Sequence, residues 1–186
     1  MSILPPLSLP QRDKLLESVV QPERNTFSPP PNDIDLVFKS VYSAFTGSYA
    51  MYIWACAFGC QDELVGRREI HDFDVIVPDE SAMQKMSMKL LQPLDKISVD
   101  RAKPRIDIII EKKRSENQGF GRLDNSEMIQ LNYGRNPYNC RVLKPEELIE
   151  CLKKRDPEGT RQNTKLDIQF LEHIIKLKAS FGLNKF

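Results

Sequence analysis

The stretch "EIHDFDVIVPDE", residues 69 to 80, sets two aspartates one residue apart at the mouth of an apolar run. Strand interiors are poor in Asp, yet Asp72-Phe73-Asp74 leads straight into Val75-Ile76-Val77 before Pro78 closes the run. In a strand, residues i and i+2 project from one face and lie about 6.6 Å apart along the chain. Asp72 and Asp74 therefore share a face, with Phe73 packed behind them. Such a pair is either a solvated strand entrance or one edge of a metal site.

A second run, Arg105-Ile-Asp-Ile-Ile-Ile-Glu111, is apolar on both faces in its middle, as a central strand is. It carries Asp107 near its start. Neighbouring strands lie about 4.8 Å apart, so adjacency of the two runs would bring three carboxylates together. Mutual repulsion makes such a trio unfavourable without a cation. Two magnesium ions about 3.5–4 Å apart can be gripped by a pair of this kind plus one more carboxylate. Upstream, Gly47-Ser48 reads as a glycine turn opening a helix, where backbone N–H groups and the helix dipole favour a phosphate.

Composition sets the frame. A chain of 186 residues, 40% hydrophobic and 28% charged, is enough for one domain with a real core. A net charge of +1 gives no global attraction to nucleic acid or acidic lipid, so the basic runs such as Lys153-Lys154-Arg155 act locally or are solvated faces. The N-terminus has no basic n-region and is broken by prolines, unlike a signal peptide. Residues 40 to 61 carry no formal charge and span the roughly 20-residue length of a membrane helix. Polar residues dilute them and Thr46-Gly47-Ser48 interrupts them, so a buried helix pair is expected instead. Cys56 and Cys60 stand four apart in a predicted helix, with poor disulfide geometry. The two histidines, His71 and His173, do not complete a zinc site with the four cysteines. Reduced, buried thiols in a cytoplasmic protein are the expectation.

Along the chain, residues 1–32 form a proline-rich arm in which Gln11–Val20 predicts a short helix, with Leu15, Leu16, Val19 and Val20 on one face. Residues 33–143 form the core. Asn32 or Asp33 caps a helix bearing Ile34, Val37, Phe38 and Val41. Strands follow at 72–77, 96–99 and 105–111, with a helix capped by Ser81 after the first. Residues 114–138 read as loop with one short helix, and Cys140–Leu143 as a final strand. Residues 144–186 form two packed helices, the first opened by Pro145 with Glu146 and Glu147. The second has a core-facing stripe of Leu166, Phe170, Leu171, Ile174, Ile175 and Leu177. The expected class is α/β (α+β), a mixed sheet flanked by helices with a C-terminal helical part.

The order Gly47-Ser48, Asp72-Phe73-Asp74-Val75, then Asp107 in Arg-Ile-Asp-Ile-Ile resembles the nucleotidyltransferase superfamily of polymerase-beta-like enzymes. The nearest likeness is to its minimal, toxin-like branch of abortive-infection and toxin–antitoxin systems. Arg68, Pro145-Glu-Glu-Leu-Ile149, Lys153, Arg161 and Lys165-Leu-Asp167-Ile-Gln-Phe-Leu171 match that branch, over residues 33 to 178. The resemblance implies transfer of an NMP from an NTP to a hydroxyl on an RNA end, a protein or a small molecule. It implies that Asp72, Asp74 and Asp107 hold magnesium or manganese, with Asp107 also activating the acceptor. Gly47 and Ser48 would contact the terminal phosphates, and Arg68, Lys153 and Lys165 would neutralise phosphate charge. Asp167 would orient Lys165 or Arg161. An antitoxin or other protein partner is implied, and no membrane.

Two other functions compete. A catalytically inactive nucleotidyltransferase-fold binding module is favoured by Ile70, which stands where that family usually has a polar residue, and by the long segment before Asp72. A metal-dependent nuclease would use Glu111-Lys112-Lys113 as its Glu-x-Lys element, with Lys113 polarising water and Asp74 or Asp107 sharing the metal.

Overall fold

The computed structural model describes residues 29–30, 32–64, 72–90, 105–111, 119–133 and 136–182. Helix α1 (Asn32–Lys39) leads into a three-residue strand, β1 (Ala44–Thr46), which runs directly into α2 (Gly47–Phe58). Strand β2 (Asp72–Val77) is followed by α3 (Glu80–Leu90) and β3 (Arg105–Ile110). A hairpin of β4 (Ser126–Tyr133) and β5 (Asn136–Leu143) comes next, then α4 (Pro145–Arg155) and α5 (Gln162–Ser180). The strands form one five-stranded mixed sheet in the order β3-β2-β1-β5-β4, giving the α/β class with a C-terminal helical part.

Register follows from the apolar pattern. β2 has half-buried Asp72 and Asp74 alternating with buried Phe73 and Val75, then Ile76 and Val77 buried on both faces. One side of the sheet gathers an aromatic cluster: Phe73 meets Tyr49 at 4.6 Å between ring centroids, and Phe45 meets Tyr49 at 4.9 Å and Phe38 at 5.2 Å. Edge-on pairs at these distances add to area burial. Helix α2 is buried on nearly every side, and its end is fixed by Gly59 at φ 68, whose N–H reaches Cys56 O while Cys60 N–H reaches Ala55 O. That pair of bonds is a Schellman close, which a left-handed residue makes possible.

Several local expectations are corrected. The uncharged stretch 40–61 is a strand and one helix, because β1 inserts between β2 and β5 and takes main-chain partners on both sides. Among the described residues no helix is long and apolar enough to cross a membrane. Helix α1 ends at Lys39, leaving Val41 beyond it. The cap of α3 is Asp79, whose Oδ1 accepts Ala82 N–H at 2.9 Å, in place of Ser81. Residues 126–133 and 136–138, expected as loop, belong to β4 and β5, in which Ile129, Leu131, Tyr138 and Cys140 are buried and Met128 is exposed. An edge hairpin needs an apolar residue only at every second position, so its composition stays polar. In α5 the buried residues are Thr164, Asp167, Phe170, Leu171, Ile174 and Lys178, while Leu166, Ile175 and Leu177 are half-buried. Lys178 reaches the core because it pairs with Glu127 and lies 4.6 Å over the Trp54 ring. The predicted helix Gln11–Val20 and strand 96–99 lie outside the described residues.

Candidate functional site

β2 and β3 are adjacent and parallel, with Asp74 beside Asp107 and Asp72 beside Arg105. Residues directly paired across a ladder project from the same face. Asp72, Asp74 and Asp107 thus each bring a carboxylate oxygen within 4.8 Å of the others, and all three residues are half-buried. On the other flank of β2, antiparallel β1 sets Thr46 beside Asp74. The row Asp107, Asp74, Thr46 runs across three strands and ends where α2 begins.

Gly47 occupies that corner at φ 63, a left-handed conformation that glycine adopts without a side-chain clash. A Cβ there would stand 2.1 Å from Oδ2 of Asp74. The first turn of α2 therefore lies against the acidic group because residue 47 has no side chain. Thr46 gives the helix no side-chain cap; its hydroxyl donates instead to Phe120 O at 3.2 Å.

A small pocket joins these parts, lined by Thr46, Gly47, Ser48, Met51 and Asp74, and by Leu148, Cys151, Leu152 and Arg155 of α4. Arg155 was not among the expected cations. Its Nε donates to Gly119 O at 2.8 Å, and its guanidinium lies 4.5 Å from the Phe120 ring centroid. A planar guanidinium held along one edge keeps further N–H groups for a ligand, and its fork matches phosphate. Residues 119–120 thus tie the start of α2 to the end of α4, through Thr46 on one side and Arg155 on the other.

The other expected residues fall out differently. Ser48 lines the pocket. Lys153 does not: it is exposed and donates to Glu150 at 3.3 Å along α4. Lys165 is exposed on α5 and is also absent from the pocket wall. Arg155 follows Lys153 by two positions, about 200° around a helix, which accounts for their opposite directions. Asp167 is buried within the helical layer. Arg68 and Lys113 lie outside the described residues. The clue to Arg155 in the sequence was its place at the end of the basic run, just before the chain turns at Asp156.

The donor set consists of carboxylate oxygens, hard ligands that suit magnesium or manganese better than thiophilic ions. All four cysteines are free, and burial pushes the Cys56 and Cys60 thiols up to about 12. Glu111, the acid of the competing nuclease element, accepts Leu123 N–H at 3.0 Å. It stands four residues, about 13 Å of extended chain, beyond Asp107. Its carboxylate thus holds the turn at Leu123, at the far end of β3 from Asp107.

No protein-family model, curated protein or solved structure matches this chain.

Proposed function

We propose that this protein is a metal-dependent nucleotidyltransferase that moves an NMP from an NTP to a hydroxyl acceptor. The observation that carries the proposal is the meeting of Asp72, Asp74 and Asp107 beside the Gly47-Ser48 turn. An acidic group alone fits many cation sites. An acidic group abutting a positive-φ glycine at a helix start, with an arginine across the gap, offers cation ligands and anion donors side by side, the two chemistries that a metal-bound triphosphate needs.

Each residue has a role in that reaction. Asp72, Asp74 and Asp107 would hold magnesium or manganese, which supplies neutralisation of triphosphate charge when bound. Gly47 and Ser48 offer N–H groups to the terminal phosphates, and Arg155 offers its guanidinium. The acceptor oxygen attacks the α-phosphorus in line, the bond to the bridging oxygen breaks, and pyrophosphate leaves. Asp107, on the outer strand of the trio, takes the proton of the acceptor hydroxyl. Arg68 remains a further candidate for phosphate contact. A toxin-type role, with a protein antitoxin, is the form suggested by the sequence resemblance.

The test incubates purified protein with each labelled NTP, magnesium and, in turn, total RNA, cell protein and small hydroxyl compounds. Nucleotide transfer that disappears in Asp107→Asn supports the enzyme. Absence of transfer to every acceptor class, from protein that is folded, leaves a nucleotidyltransferase-like binding module in its place.

A further inference from the structure

Away from the aspartates, a cavity of about 400 Å3 opens between α1, residues 41–43 and β5. Its origin is a mismatch of strand lengths. β5 pairs with β4 from Ser126↔Leu143 to Tyr133↔Asn136, yet meets β1 only at Phe45↔Val142, because β1 has three residues. The notch left beside β5 has an apolar floor of Phe38, Phe45 and Val75, all buried. On its rim Tyr42 is 53% and Met128 56% exposed, large side chains with much of their apolar surface open.

Most of the polar groups around this notch are already hydrogen-bonded within the fold. Asp35 accepts from Lys39 at 2.6 Å and from the Tyr138 hydroxyl at 2.7 Å. Ser40 and Ser43 donate to Val37 O and Phe38 O, and Asn139 accepts from Gln130. Arg141 donates to Ser126 Oγ and lies 5.1 Å from the Tyr42 ring centroid. Arg141 apart, a polar small molecule would have to break such bonds to be recognised, at a cost for each group left unpaired. Apolar side chains need only the floor and the rim.

We infer that this groove is the docking site of the chain's own segment 11–20, through Leu15, Leu16, Val19 and Val20. These four form an apolar stripe at helical spacing, and residues 1–28 lie outside the described part of the chain. The path is short. Pro30 is buried and Pro29 half-buried, so the chain is already against the body where it enters α1. Helix α1 itself supplies Asp35, Phe38 and Lys39 to the groove wall. Running back along its eight residues takes about 12 Å, and residues 21–28 can span about 27 Å when extended. A tether of that length gives an effective concentration in the millimolar range, which favours this segment over a second copy in dilute solution. The inference is independent of the proposed transfer reaction.

The test uses the full chain with the photo-crosslinker benzoylphenylalanine in place of Tyr42, an exposed rim residue whose replacement leaves the core intact. Irradiation should give an intramolecular crosslink to residues 11–20, located by mass spectrometry, with a yield independent of protein concentration. Leu16→Asp combined with Val20→Asp should lower that yield about tenfold or more. The same pair of substitutions should speed amide exchange at residues 138–141 while the melting transition of the body stays cooperative. A crosslink that falls on a second copy or on another segment overturns the inference. So does a folded protein that forms no crosslink to residues 11–20, or equal exchange in the two proteins.

Discussion

Gly47 and Asp74 meet so closely that a Cβ on the glycine would stand 2.1 Å from Oδ2 of the aspartate. The glycine is also held at φ 63, where an L side chain costs about 1–2 kcal/mol. Gly47→Ala should therefore lower stability by at least about 1–2 kcal/mol in chemical denaturation. It should also weaken metal binding, since Asp74 must move away from its two partners. A variant with wild-type stability and wild-type metal affinity would show that the turn does not position the carboxylate.

Asp72→Ala and Asp74→Ala should each abolish nucleotide transfer while the protein stays folded. Without metal, removing one of three crowded like charges relieves repulsion, so the melting temperature should hold or rise. Phe73→Ala provides the contrast from the same strand. Its ring is buried against Tyr49 and Phe38, and its loss should cost about 3–5 kcal/mol. Thermal melts and transfer assays on the three variants separate the two faces of β2.

Magnesium or manganese should raise the melting temperature of the wild type. Saturation at a hundredfold excess over the dissociation constant corresponds to about 2.7 kcal/mol. Asp74→Asn should lose that shift. Equal shifts in both proteins would place the cation elsewhere.

Arg155→Ala should raise KM for the NTP, whereas Lys153→Ala and Lys165→Ala should leave it within about twofold, as exposed surface changes do. Only Arg155 among these lines the pocket with Ser48 and Asp74. Arg155→Lys should restore little, because the point charge of lysine cannot reproduce the bond to Gly119 and the stacking on Phe120 together. Steady-state kinetics on the four variants reads this directly.

Asp156 closes the turn between α4 and α5. The backbone N–H of Arg161, and after it the N–H and hydroxyl of Thr160, hold its carboxyl below the usual carboxylate range. A folded-state value below the unfolded one gives stability that is complete above the unfolded value, near 3.9. That stability is lost as pH falls past it and through the folded value. Asp156→Asn should melt lower than the wild type at neutral pH, and the gap should narrow in acid. Melts in a pH series check both the sign and the window.

Local pattern alone determined that Asp72 and Asp74 share a face, since alternation along a strand follows from the backbone. It also marked the break at Gly47 and the start of α4 at Pro145, where φ requirements and a missing donor act within a few residues. The β4–β5 hairpin was present as an alternation, Ile129 and Leu131 against Met128 and Gln130, then Tyr138, Cys140 and Val142 against Asn139 and Arg141. Its polar half concealed it, because that face meets solvent at the sheet edge. What only the tertiary structure decided was adjacency. That β3 lies beside β2 with Asp107 next to Asp74, and that Arg155 faces the pocket while Lys153 faces water, depends on strand pairing and helix rotation. Those are settled by burial of apolar faces far apart in the chain, Phe73 on Tyr49 and Leu143 beside the helix that carries Arg155, and no local spacing encodes them.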